Sequence, residues 1–179
     1  MSGTRLALLA LLASFLLLAA CGGEDDDSAE AWAGSVCGAL DSWVVDIEET
    51  LTSLTEEGLA IDKEDLTAAV DDTKQATDEL VDELRGIGAP ETESGTEAKE
   101  QVDELASGLQ SQLETVEDAV QADTPVLELV STVSAALSTA AAQLQDTLEG
   151  LADLDPGGEL EDAVRNADEC DELRDRVTD

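Results

Sequence analysis

Beyond about residue 28, apolar residues recur at spacings of three and four almost without interruption, the period of helices buried along one face. The first such segment, about 29–57, sets Trp32, Val36, Leu40, Trp43, Ile47, Leu51 and Leu54 on one stripe. A second, about 62–87, opens on Asp62, whose side chain can accept the free N–H groups of a first turn. Ile61, just outside it, is spaced to pack on Leu66 as a hydrophobic staple. The stripe of this segment runs through Leu66, Val70, Thr73, Thr77, Leu80, Leu84 and Ile87, and Gly86, Gly88 and Pro90 end it. A third helix is predicted over about 96–121, through Val102, Leu105, Leu109, Leu113, Val116 and Val120.

The fourth begins at Thr124–Pro125, a cap followed by proline at the first helical position. It carries Val126, Val130, Val133, Leu137, Leu144, Leu148 and Leu151 before Pro156–Gly157–Gly158 breaks it. A shorter last helix, about 159–177, carries Leu160, Val164, Ala167, Cys170, Leu173 and Val177. No stretch alternates with period two between hairpin turns, so the fold class is all-α. Short links between long helices favour antiparallel neighbours. The expected architecture is an antiparallel up-and-down bundle of four long helices plus a shorter C-terminal one.

Charge changes the picture at the fourth helix, where no charged residue occurs from Leu129 to Gln145. A helix without a charged face is normally surrounded. Its small neighbours, among them Ser131, Ser134, Ala135, Ala136 and Ala140, would let partner helices approach closely. The fourth helix is therefore expected to be the central rod of the bundle. A membrane span is the rival reading, opposed by Glu128, the hydroxyls and the glutamines.

The N-terminus reads as an address. Arg5 precedes an uncharged apolar run over residues 6–20, too short for a comfortable transmembrane helix and suited to a signal peptide. The run ends Leu18-Ala19-Ala20-Cys21, followed by Gly22-Gly23 and then Glu24-Asp25-Asp26-Asp27-Ser28. Leu18-Ala19-Ala20-Cys21 resembles the lipobox of bacterial lipoproteins. The resemblance implies a diacylglycerol on the Cys21 thiol and cleavage before Cys21 by the lipoprotein signal peptidase, which recognises Leu18, Ala19 and Ala20. It also implies a membrane lipid anchor on the extracytoplasmic face. The alternative is an ordinary secretory signal with a stray cysteine.

On the lipoprotein reading, residues 1–20 are the signal peptide, 21–28 a lipidated acidic tether, and 29–179 the helical domain. As a whole the chain resembles small helical lipoproteins of Gram-positive envelopes. Lipid on Cys21 leaves Cys37 and Cys170, an even pair in an exported protein, which reads as a disulfide. Two free buried thiols are the alternative.

The 179 residues hold 44 Asp and Glu against 8 Lys and Arg, and no His, for a formal net charge of -36. Nucleic acid and anionic lipid headgroups would be repelled, so neither is expected as a partner. The missing His removes the commonest general base and imidazole metal ligand. Thr96 and Lys99 lie one turn apart, but on a charged helix start. No catalytic group is expected and no cofactor is implied. The segment Asp153–Leu160 resembles the opening of an EF-hand loop, yet Val164 stands where the closing bidentate Glu belongs.

Two pairs remain as candidate binding residues. Trp32 and Trp43 are core residues unless one is exposed, where Trp would mark a docking site. Thr73 and Thr77 put hydroxyls on a buried stripe, either to line a ligand cavity or to bond back to carbonyls one turn earlier. The leading functional expectation is a non-enzymatic interaction module that docks an envelope or exported protein through acidic helical faces. The alternative is a binding protein for divalent cations, held weakly on those faces, or for a small ligand within the bundle.

Overall fold

The structure, a computed structural model, describes residues 28–56, 62–122 and 124–178. The lipobox residues Leu18, Ala19, Ala20 and Cys21, the tether before Ser28 and the staple residue Ile61 lie outside the described residues. Six helices form from the rest: α1 (Ala29–Glu56), α2 (Lys63–Gly86), α3 (Gly95–Gln121), α4 (Val126–Asp153), α5 (Glu159–Asn166) and α6 (Asp168–Thr178). There is no strand among the described residues. α2 begins as its sequence specifies. The Asp62 side chain accepts the Asp65 N–H at 3.1 Å, and Asp65 Oδ2 accepts the Asp62 N–H at 2.9 Å, a reciprocal capping box.

Thr124 does not take the cap position expected of it. α4 starts one residue later, with Pro125 at its cap, and the Pro125 carbonyl accepts the N–H groups of Glu128 and Leu129. The last helix is two helices rather than one. Ala167 is extended, at φ -67° and ψ 126°, and the chain restarts at Asp168. Acidic Asp168, Glu169 and Asp171 then sit in the first turn of α6, where they favour the positive end of its dipole. Between α4 and α5, Gly157 takes a φ of 76°, a conformation that glycine adopts without steric cost.

α1 supplies the core. Trp32, Val36, Leu40, Trp43 and Ile47 are buried on it, with Leu40 fully enclosed. α1 packs against α2 on one side and against α5 and α6 on the other, while α4 packs on α3 and on the α5–α6 pair. Leu160, Val164, Cys170 and Leu173 of the two short helices enter the same core. A disulfide joins Cys37 to Cys170 with a Cα–Cα distance of 4.9 Å. Beside it, Arg176 Nε donates to Asp41 Oδ1 at 2.7 Å.

The fourth helix is not the central rod. On α4 only Leu129, Ala140, Leu144, Leu148 and Leu151 are buried, and Val126, Leu127 and Val130 are exposed, Leu127 by 84%. The physical reason lies in its composition. Alanine and serine offer little apolar area, so enclosing them gains less than enclosing the tryptophans and leucines of α1. The close approach expected of its small residues occurs at glycines instead. A Cβ on Gly108 of α3 would come within 2.8 Å of Gln143 on α4, and one on Gly150 of α4 within 2.8 Å of Gln101 on α3. Among the described residues α4 is also the one helix long and apolar enough to cross a membrane by length and composition, and most of that stretch is unburied.

Candidate functional site

Where α1, α2, α3 and α4 converge, away from the disulfide, the interior is incompletely filled. An apolar cavity of about 80 Å³ lies among Trp43, Leu51, Val70, Leu113, Val133 and Leu137. Thr73 and Thr77 line it too. Three of the four candidate binding residues thus come together here. Trp32 does not: it is buried at the start of α1, where its Nε1 donates to the Gly88 carbonyl at 2.8 Å.

Thr77 is not free to hold a ligand in the way its placement in the sequence suggests. Thr77, 2% exposed, donates its hydroxyl to the Thr73 carbonyl at 2.8 Å, the back-bonded alternative. The same oxygen accepts from Trp43 Nε1 at 3.1 Å. A buried indole N–H needs an acceptor, and Thr77 supplies it. The hydroxyl on this stripe therefore matches the tryptophan on the facing helix. Thr77→Val is expected to cost about 1–3 kcal/mol by leaving that N–H unmatched, read by urea unfolding. A loss near zero would mean that water reaches Trp43 through the cavity.

A second feature runs along the outside. Asp46 and Glu49 of α1 and Asp65, Asp72 and Glu79 of α2 line a groove that contains no Lys or Arg among the described residues. Cations sit elsewhere. Lys74 bridges Asp78 and Glu117, Lys99 pairs with Asp103, and Arg165 with Glu161. Lys74 is held in its charged form, its pKa raised by the Asp78 hydrogen bond and by the Asp78 and Glu117 charges. Arg176 is likewise raised by its bond to Asp41. The turn after α4 folds on itself: Glu161 accepts the Gly157 N–H, and Asp155 lies against Gly158. No cluster of three or more metal-ligating side chains occurs among the described residues.

Thr73 and Thr77 point to this place from the sequence, whereas Thr50, Ala69, Gln112, Ala136 and Ala140, which also line the cavity, lie off the apolar stripes. Comparison with protein-family models, curated proteins and solved structures finds no match to this chain.

Proposed function

We propose that this protein is a lipid-anchored envelope lipoprotein whose helical domain is a non-enzymatic docking module for a basic surface on an envelope or exported protein. Residues 1–20 are its signal peptide, Cys21 carries the lipid on the extracytoplasmic face of the membrane, and residues 21–28 are the tether. The observation that carries the docking reading is the α1–α2 groove, which five carboxylates line without a Lys or Arg among the described residues. A basic partner would replace the solution counter-ions that such a groove gathers.

The four long helices run up and down, antiparallel. Two bonds support this order: Trp32 to the Gly88 carbonyl links the start of α1 to the end of α2, and Ser94 Oγ to the Leu154 carbonyl, at 3.3 Å, links the start of α3 to the end of α4. At 1.5 Å per residue, Asp46 then stands about 25 Å along α1 from the tether. The acidic groove is therefore held away from the membrane, within reach of a partner.

Cross-linking in intact native cells, with capture of the protein and mass spectrometry of what accompanies it, tests this reading. One dominant partner is expected, lost when Cys21→Ser releases the protein from the membrane. With that partner purified, affinity is expected to fall as NaCl rises and to fall further in an Asp46→Asn, Glu49→Gln, Asp72→Asn, Glu79→Gln variant. Affinity indifferent to both salt and these substitutions would overturn the docking face. Ca²⁺ and Mg²⁺ would compete weakly for the same carboxylates, and a stability gain above that of matched Na⁺ reads that competition.

A further inference from the structure

The seam between α1 and α4 is occupied for only part of its length. α5 and α6 lie in it as a wedge, fixed to α1 by the disulfide and by Arg176, which reaches both Asp41 and Glu48. On the α4 side the wedge ends level with Gln145, whose Nε2 donates to the Val177 carbonyl at 3.4 Å. Farther along, Leu51 and Leu54 of α1 look across the cavity at Val133 and Leu137 of α4. Leu51 and Leu137 pack against the main core, but Leu66, Val70, Leu113, Val116 and Leu129 are buried outside that cluster. Residues of both buried groups line the cavity, among them Trp43 and Leu109 of the first and Val70 and Leu113 of the second.

Its chemistry is one-sided. Thr50 and Thr77 at its wall donate to the carbonyls of Asp46 and Thr73, which leaves Thr73 and Gln112 as the other polar side chains of a mainly apolar lining. A water molecule there would find few partners, and dry apolar cavities take apolar guests. By helical spacing the α4 face that carries Val133 and Leu137 continues outward to Val130 and Val126, both exposed. At about 80 Å³ the space is roughly half that of a 150 Å³ cavity able to hold benzene. It suits the end of a slender chain better than a ring. The net charge of -36 acts on whatever group remains outside and disfavours an anionic one.

We propose that this seam binds one alkyl chain of a single-chain amphiphile with an uncharged or cationic head. The terminal methylenes occupy the cavity, and the rest of the chain lies over Val133 and Val130 toward the mouth. This site adjoins the acidic groove, with which it shares Thr50, Leu54 and Ala69 as walls, but it does not depend on a protein partner.

Trp43 lies in the cavity wall, Trp32 is bonded to Gly88 at the start of α1, and the chain has no Tyr. The Cys21→Ser, Trp32→Phe protein, purified without detergent, therefore reports on the cavity through Trp43 alone. The probe is a monoacylglycerol with a dibrominated chain, since bromine quenches indole on contact. Saturable quenching is expected at one chain per protein, below the concentration at which the probe aggregates. The same chain as a free carboxylate is expected to bind several-fold more weakly, with the difference narrowing as salt screens the protein.

Filling the cavity with Ala136→Leu, or from the opposite wall with Ala69→Leu, is expected to weaken binding about tenfold while the helical circular dichroism is kept. That factor corresponds to roughly two methylenes displaced from apolar contact. Absence of saturable quenching would overturn the proposal, as would quenching unchanged in both filled and folded variants. Quenching that appears only with bilayer vesicles would overturn it in favour of α4 lying on a membrane. Equal binding of the carboxylate would overturn the assignment of the head group.

Discussion

Reduction of the Cys37–Cys170 disulfide is expected to lower the stability of the protein by about 2–5 kcal/mol. The bridge spans 133 residues, and the chain-entropy description assigns about 5 kcal/mol to a loop of that length. Native contacts point the same way. α5 and α6 are short helices, too short to persist without the rest of the fold. Their attachment to α1 rests on Leu160, Val164 and Leu173, on the Arg176–Asp41 pair and on the bridge itself. Urea unfolding followed by circular dichroism, with and without reductant, measures the loss, and Cys37→Ala with Cys170→Ala checks that it comes from the bond. Unchanged stability would mean that packing alone keeps the wedge in the seam.

The second large effect separates α1 from α4. Leu40→Ala is expected to cost about 2–5 kcal/mol, because Leu40 is fully buried at the centre of α1, which packs against α2, α5 and α6. Leu127→Ala, a change of the same chemistry on α4, is expected to stay within about 0.5 kcal/mol because Leu127 is 84% exposed. Equilibrium unfolding of the two variants side by side measures the difference. Equal costs would restore α4 to the interior.

The helices were legible because burial on one face writes a 3.6-residue period into the sequence. α1 and α3 begin and end within a residue of where their stripes and breakers put them. The capping box at Asp62 was half legible, since Asp62 was read as the cap and Asp65 as its reciprocal partner was not. The split of the last helix was missed because its apolar spacing continues across Ala167. The available signal was electrostatic, with Arg165 in the last turn of α5 and Asp168 and Glu169 in the first turn of α6.

The misreading of α4 has a different cause. Absence of charge was taken to mean enclosure, but a helix of alanines, serines and threonines can face water at little cost. The large apolar side chains Trp32, Leu40, Trp43 and Ile47 are enclosed on α1, whereas Val126, Leu127 and Val130 of α4 are exposed. Of the candidate site, the approach of Thr77 to Trp43 was not legible. Two stripes give the inward faces of α1 and α2 without giving the relative height of the helices, which sets which residues meet.

The bridge has a mechanical consequence under the proposed anchoring by one end. It crosslinks the fold close to both limits of its helical part, leaving only Ala29–Val36 before Cys37 and Asp171–Thr178 after Cys170. A pull between the start of α1 and the end of α6 would draw out those two short stretches and then load a covalent bond. Most of α1 and all of α2, α3, α4 and α5 lie within the closed ring, shielded from that tension, so stretching the tether would not unravel the surfaces that the domain presents.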